Sequence, residues 1–231
     1  MAFLEKNIII CVNRRFLIVL FIIIIVLTRP KGSGGGDDED EGIDESKVLG
    51  DIICKYEIDE SKSQTPILGR DFIKPNNFDI LVDDKRIPFY KDYKFPKTGS
   101  HKLRFVFYDK EVNIDNMFKG IKSLITVELS SLKNVSITSM ISTFENCNNL
   151  QKFNIDGYDL TKIKSVQKLF YGAHNLVEAK LDLFADNNIE DMSYLFAMSD
   201  LTEIDLSKIS TKNVKNCPIC SMDVVLYILW I

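Results

Sequence analysis

Between residues 118 and 206 the apolar side chains return at a fixed interval. Phe118, Phe144, Phe170 and Phe196 stand 26 residues apart, each followed by a short polar turn and an apolar triplet. The triplets are Leu124, Val127 and Leu129; Leu150, Phe153 and Ile155; Leu176, Ala179 and Leu181; Leu201, Ile204 and Leu206. The last interval between triplets shortens to 25 residues. Four residues before each Phe sits Ile114, Met140, Val166 or Met192. Three before those, Ile137, Ile163 and Ile189 recur, with Glu111 in the first copy. A register kept over four copies predicts a repeat architecture.

Each copy carries two periods. The last two apolar residues of a triplet fall on one face of a short strand, because side chains alternate. Ile189, Met192, Leu195 and Phe196 have the three-and-four spacing of a helix. One strand and one short helix cannot bury their own apolar edge, whereas stacked copies can. The expectation is therefore an α/β solenoid of about four repeats at residues 111–216, with parallel strands on one side and helical turns on the other. The four phenylalanines form its inner column. Positions three and five of each triplet point outward as a candidate concave binding face: Thr126, Lys152, Glu178 and Glu203 in one row, Glu128, Asn154, Lys180 and Asp205 in the next. The same residues also read as a solvated charge ladder that keeps a sheet soluble.

The wording of the copies resembles the BspA-type leucine-rich repeat of bacterial and protist surface proteins. Asn188-Ile189-Glu190-Asp191-Met192-Ser193-Tyr194-Leu195-Phe196 and Phe144-Glu145-Asn146-Cys147-Asn148-Asn149-Leu150 carry the likeness. It implies a leucine-rich-repeat solenoid with an interaction role, and a β module before the repeats. The fold type hosts many partners and selects none of them.

Ahead of the repeats the texture changes. Residues 52–58, 78–82, 86–89 and 103–108 are short β-like runs, the middle two joined as a hairpin through Asp83, Asp84 and Lys85. They predict a small β domain at residues 48–110 that covers the strand edge and apolar end of the first copy. Residues 29–47, with Gly32-Ser33-Gly34-Gly35-Gly36 and Asp37-Asp38-Glu39-Asp40-Glu41, read as a flexible acidic linker. No Gly-Lys-Ser/Thr follows those glycines, and the carboxylates lack the alternate spacing of a calcium loop. Within residues 1–28 the run 16–28 is almost wholly apolar, with Arg14 and Arg15 before it and Arg29 and Lys31 after. It is short for a membrane span and close to a signal-peptide core, yet no small-x-small cleavage site follows. Both a signal peptide and a signal-anchor remain open, and either engages the membrane or the secretory route.

Past Asn216 the register breaks. Asn213-Val214-Lys215-Asn216 opens a fifth copy, and residues 217–231 form an aberrant tail beginning Cys217-Pro218-Ile219-Cys220. One Cys-x-x-Cys supplies half of a zinc site and lacks a thioredoxin-like setting. Suitable synonymous codons for residues 217–224, read one base earlier, give Met-Ser-Tyr-Met-Phe-Tyr-Gly-Cys, the repeat's own wording. A frame shift at Cys217 and an atypical carboxy-terminal cap are the two accounts, and the nucleotide sequence separates them.

The remaining chemistry is sparse. Five cysteines are too few and scattered for a disulfide scaffold, although Cys54 and Cys147 could pair if the β domain meets the repeats. Cys147 otherwise reads as a small core residue. His174 falls in a polar turn, and no nucleophile elbow, Walker sequence or paired-histidine motif occurs. A net charge of −4 points to no nucleic acid. Asn134-Val135-Ser136 makes Asn134 a candidate glycan acceptor. The expected function is a membrane-tethered, surface or secreted interaction or adhesion protein with a protein or glycan partner, without catalysis, metal or cofactor. An intracellular repeat scaffold and a decayed fragment of a longer surface protein are the alternatives.

Overall fold

The alternation along residues 50–58 decides which way the first strand faces. Ile52, Cys54, Tyr56 and Ile58 are buried, while Lys55 and Glu57 are exposed. The computed structural model describes residues 42–60, 63–129, 134–154, 160–179, 189–200 and 212–217. Its strands are β1 (Gly50–Ile58), β2 (Gln64–Pro66), β3 (Phe78–Val82), β4 (Lys85–Ile87), β5 (Asp92–Lys94), β6 (Gly99–Phe107), β7 (Glu111–Asn113), β8 (Leu124–Glu128), β9 (Ser136–Ser139), β10 (Lys152–Asn154) and β11 (Glu178–Ala179).

Seven of them form one sheet in the order β11-β10-β8-β1-β6-β3-β4. β8, β10 and β11 run parallel, with Thr126, Lys152 and Glu178 in register. β1 then joins β8 antiparallel on one side and β6 antiparallel on the other. β3 and β4 close the far end as a hairpin whose two turn residues, Asp83 (φ 49°) and Asp84 (φ 66°), take the left-handed geometry that suits sheet twist. A second parallel pair, β7 with β9, continues as single bridges from Ser165 to Asp191 and from Asp191 to Asn216.

The α/β expectation is corrected here. Among the described residues there is no helix, and the copies do not close as a separate solenoid, because their strands are annexed to the sheet of the preceding β segments. The segments with helical spacing are chains of tight turns. In the third copy Leu169, Tyr171 and Ala173 each donate their amide to the carbonyl three residues back. The amides between them point outward to the next copy: Val166 to Asp191, Lys168 to Ser193, Phe170 to Leu195 and Gly172 to Ala197, at 2.9–3.0 Å. The same ladder links Asn116, Phe118 and Gly120 to Ile141, Thr143 and Glu145. An α-helix would use all of these donors within itself, so helix and ladder exclude one another.

The backbone records the outcome. Asn116, Ser142, Lys168 and Tyr194 have φ between 54° and 58°, and Gly120, Asn146, Gly172 and Met198 between 59° and 76°. Each pair brackets its phenylalanine by two residues on either side. A left-handed L-residue costs roughly 1–2 kcal/mol and interrupts a right-handed helix. The ladder and the core hold it there.

The phenylalanines stand in file. Phe118–Phe144, Phe144–Phe170 and Phe170–Phe196 have ring centroids 5.5, 5.6 and 5.6 Å apart and planes within 9° of parallel. All four are at most 1% exposed. Phe105 of β6 meets Phe118 edge-on at 5.3 Å and closes the file at its amino end. The first turn is covered as well. Tyr56 donates its hydroxyl to the Ile67 carbonyl at 2.7 Å, and the Gly69 amide donates to Met117 at 2.8 Å. A Cβ on Gly69 would stand 2.0 Å from the Asn116 carbonyl oxygen, so only glycine permits this approach.

Two substitutions test the stack. Phe170→Ala removes the ring between two neighbours and is expected to lower stability in urea unfolding by about 3–5 kcal/mol. Gly172→Ala forces a side chain into a left-handed site and against Asn146 Oδ1, 2.4 Å from the new Cβ. The expected loss is at least the roughly 1–2 kcal/mol of the backbone term, read from the same titration.

Candidate interaction face

The outward side of the seven-stranded sheet collects the polar halves of its alternating strands. Thr126, Lys152 and Glu178 lie in one row across β8, β10 and β11, and Glu128 and Asn154 in the next. Lys180, Glu203 and Asp205 lie outside the described residues. The pairing carries both rows onward. Lys55 of β1 stands opposite Thr126, and Lys102 of β6 opposite Lys55. Ile53 stands opposite Glu128, and Arg104 opposite Ile53. The face therefore crosses from the repeats onto the amino-terminal strands without a break. The outward residues of β1 were legible as alternation, but their neighbours were not, since nothing in sequence spacing joins β1 to a strand some seventy residues later.

A shallow depression of about 270 Å³ opens where these strands meet, lined by Ile53, Lys55, Ser100, Lys102, Thr126 and Glu128 among others. Its groups carry both signs of charge, two hydroxyls and one apolar side chain. Lys55 and Lys102 face each other directly, an arrangement that costs stability in an antiparallel pair. Lys102 is held aside by Asp84 at 2.5 Å. The flank of the face is stiffened by ion pairs. Arg104 bonds Asp51 through Nε and clamps Glu45 through its two terminal nitrogens. These bonds hold the Glu45 carboxyl below its usual range. Asp79 accepts from Arg86 at 2.7 Å and from the Tyr108 hydroxyl at 2.8 Å.

His101 forms the back of the depression from the buried side. Its Nδ1 lies 2.6 Å from Asp83 Oδ2, its Nε2 3.0 Å from the Lys97 carbonyl, and its ring 4.7 Å from Phe95. Burial pushes the Asp83 carboxyl up, but hydrogen bonds from His101 and the Lys102 amide outweigh it and the group sits below its ordinary value. His101 thus ties the β3–β4 turn to the start of β6. Sequence reasoning passed it over, because its partners Asp83 and Lys97 belong to separate turns. His174 lies exposed in its turn, 3.4 Å from Asp200.

Cys54 and Cys147 are free thiols, so the pairing considered from sequence does not form. Cys147 donates to the Phe118 carbonyl at 2.9 Å, and burial pushes its thiol up to about 12. Cys217 is disulfide-bonded. Asn134 is exposed just ahead of β9. Among the described residues no group of three or more His, Cys, Asp or Glu could hold a metal ion, and no helix is long and apolar enough to cross a membrane. The apolar run at residues 16–28 lies outside the described residues.

The repeats also coincide with a known family boundary. Residues 108–209 match the family model described as Mycoplasma protein of unknown function, DUF285. The match spans a little under half of the chain, starts just after β6 and takes in the four phenylalanines of the file, Phe118 to Phe196. No curated protein and no solved structure matches the chain.

Lys55→Glu is the informative change on this face. It replaces two opposed lysines with an opposite-charge pair, and thermal unfolding is expected to show a gain of about 0.2–1 kcal/mol.

Proposed function

We propose that this chain is a surface or secreted interaction protein, adhesive in character, which presents the outward side of its seven-stranded sheet to a protein or glycan partner. The observation that carries the reading is the continuity of the face: four strands from two different segments set Lys152, Thr126, Lys55 and Lys102 in one row. The opposed lysines support it, since a like-charge pair left at a cost to stability fits a surface kept for binding. The apolar run at residues 16–28, flanked by arginines, supports placement at a membrane or in the secretory route. The BspA-like wording of the copies supports the same setting.

A second reading has its own observation. Asn213 to Asn216 continue the inter-copy ladder, with Met192 donating to the Asn216 carbonyl at 2.9 Å, and the repeat wording stops directly after. That abrupt stop favours a decayed fragment of a longer surface protein, and repeat codons in the next frame downstream would support it.

The test is labelling of intact cells that express the full chain, using a membrane-impermeant amine reagent. Lys55, Lys102 and Lys152 are expected to be modified before lysis, and a photo-crosslinker at Glu128 to capture a defined partner that one at Lys164 does not. Modification of the three lysines only after lysis would overturn the surface reading.

A further inference from the structure

The lysine row of the interaction face is a short cationic strip with carboxylates around it. Lys152 of β10, Thr126 of β8, Lys55 of β1 and Lys102 of β6 follow one another on adjacent strands. Three strand spacings make the strip roughly 14 Å long. Glu178 stands in register beyond Lys152 at one end, and Asp84 meets Lys102 at the other. Along the strands lie two exposed acids, Glu57 two residues from Lys55 and Glu128 two residues from Thr126. The whole chain carries a charge of −4, so the strip is a local reversal of its sign.

Within the strip the positive groups crowd one another. Lys55 and Lys102 are exposed and directly opposed across β1 and β6. An anion set between their ammoniums would replace a repulsion with two attractions. Asp84 does not prevent this, because its side chain is 71% exposed and an ion pair so open to water is weak. Ser100 and Thr126 place hydroxyls on the rim of the same depression.

We infer that the strip binds an acidic glycan, one whose sugars carry carboxylate or sulfate groups, lying across β10, β8, β1 and β6. Its anionic groups rest on Lys152, Lys55 and Lys102, and its hydroxyls on Thr126 and Ser100. The inference rests on the reading of this sheet face as a binding surface, and narrows the partner to one chemistry. Glu57 and Glu128 fix the direction, since a polyanion running along the strands would meet a carboxylate on either side of the row. An acidic peptide fits less well. These four are inner strands whose backbone groups are paired within the sheet, so strand addition has no edge to use here. The floor of the depression is shallow and polar with half-buried Ile53 in it, whereas a protein partner anchors its apolar side chains in deep pockets.

The full chain in non-ionic detergent is to be titrated with a size-defined heparin oligosaccharide. The expected result is binding that weakens steeply as salt is raised, and none to neutral dextran of equal length. Lys55→Glu is expected to lose roughly tenfold or more in affinity. The same change is expected to raise thermal stability, so unfolding cannot account for the loss. Lys102→Gln, which keeps Lys55 in place, is expected to weaken binding to a similar degree. Lys164→Glu, outside the seven-stranded sheet, is expected to bind like the parent. Absence of heparin binding overturns the inference, as does equal binding of dextran or affinity indifferent to Lys55→Glu and Lys102→Gln. Polyglutamate of matched charge bound as tightly would make an acidic protein segment the occupant and overturn it as well. The cell labelling separates the two readings: lysines modified before lysis in a chain that does not bind heparin leave the surface placement standing and remove the glycan.

Discussion

The structure turns on a choice made by alternate backbone amides in the turn segments. Each such N–H can close a helix within its own copy or reach a carbonyl one copy further on. Here Val166, Lys168, Phe170 and Gly172 all reach onward. Once that ladder forms, the remaining amides have only the carbonyl three residues back, and the chain must pass through left-handed geometry twice per copy. The phenylalanine between those two residues is thereby turned inward, and its ring meets the ring above and the ring below. Backbone pairing and side-chain stacking are thus one interaction seen at two levels, and neither exists in an isolated copy.

Much of this was legible in the residues, and the part that was not has a definite cause. The 26-residue register located the column of phenylalanines, and the triplets located β8, β10 and β11. Spacing of three and four, however, describes side chains and is blind to where the amides go. A run of turns advancing two residues at a time puts Met192 and Phe196 on the same side as a helix would. The decisive clue was composition at the bracketing positions: Asn116, Gly120, Asn146 and Gly172 are residue types that tolerate positive φ. Lys168, Tyr194 and Met198 at the equivalent sites hide that signal, because tertiary structure holds them against their local preference.

The interaction face was half legible for a related reason. Positions within a copy follow from alternation, so Thr126, Glu128, Lys152 and Asn154 could be named. Lys55, Lys102 and Arg104 come from a segment with no repeat, and only the antiparallel pairing of β1 with β8 brings them alongside. That pairing does a second task. Together with Phe105 above Phe118 and Gly69 pressed on Asn116, it closes the strand edge, the aromatic file and the first turn of the stack at once.

The antiparallel seam between β1 and β8 has a further consequence for how such a molecule varies. Parallel copies are interchangeable units, each offering the next what it received from the last, and by themselves they resemble a polymer with two live ends. A strand of opposite direction cannot be continued by another copy in the same register, so β1 terminates the chain of units on its side. Lengthening or shortening by whole units is confined to the Asn216 side, where it leaves the amino-terminal seam untouched.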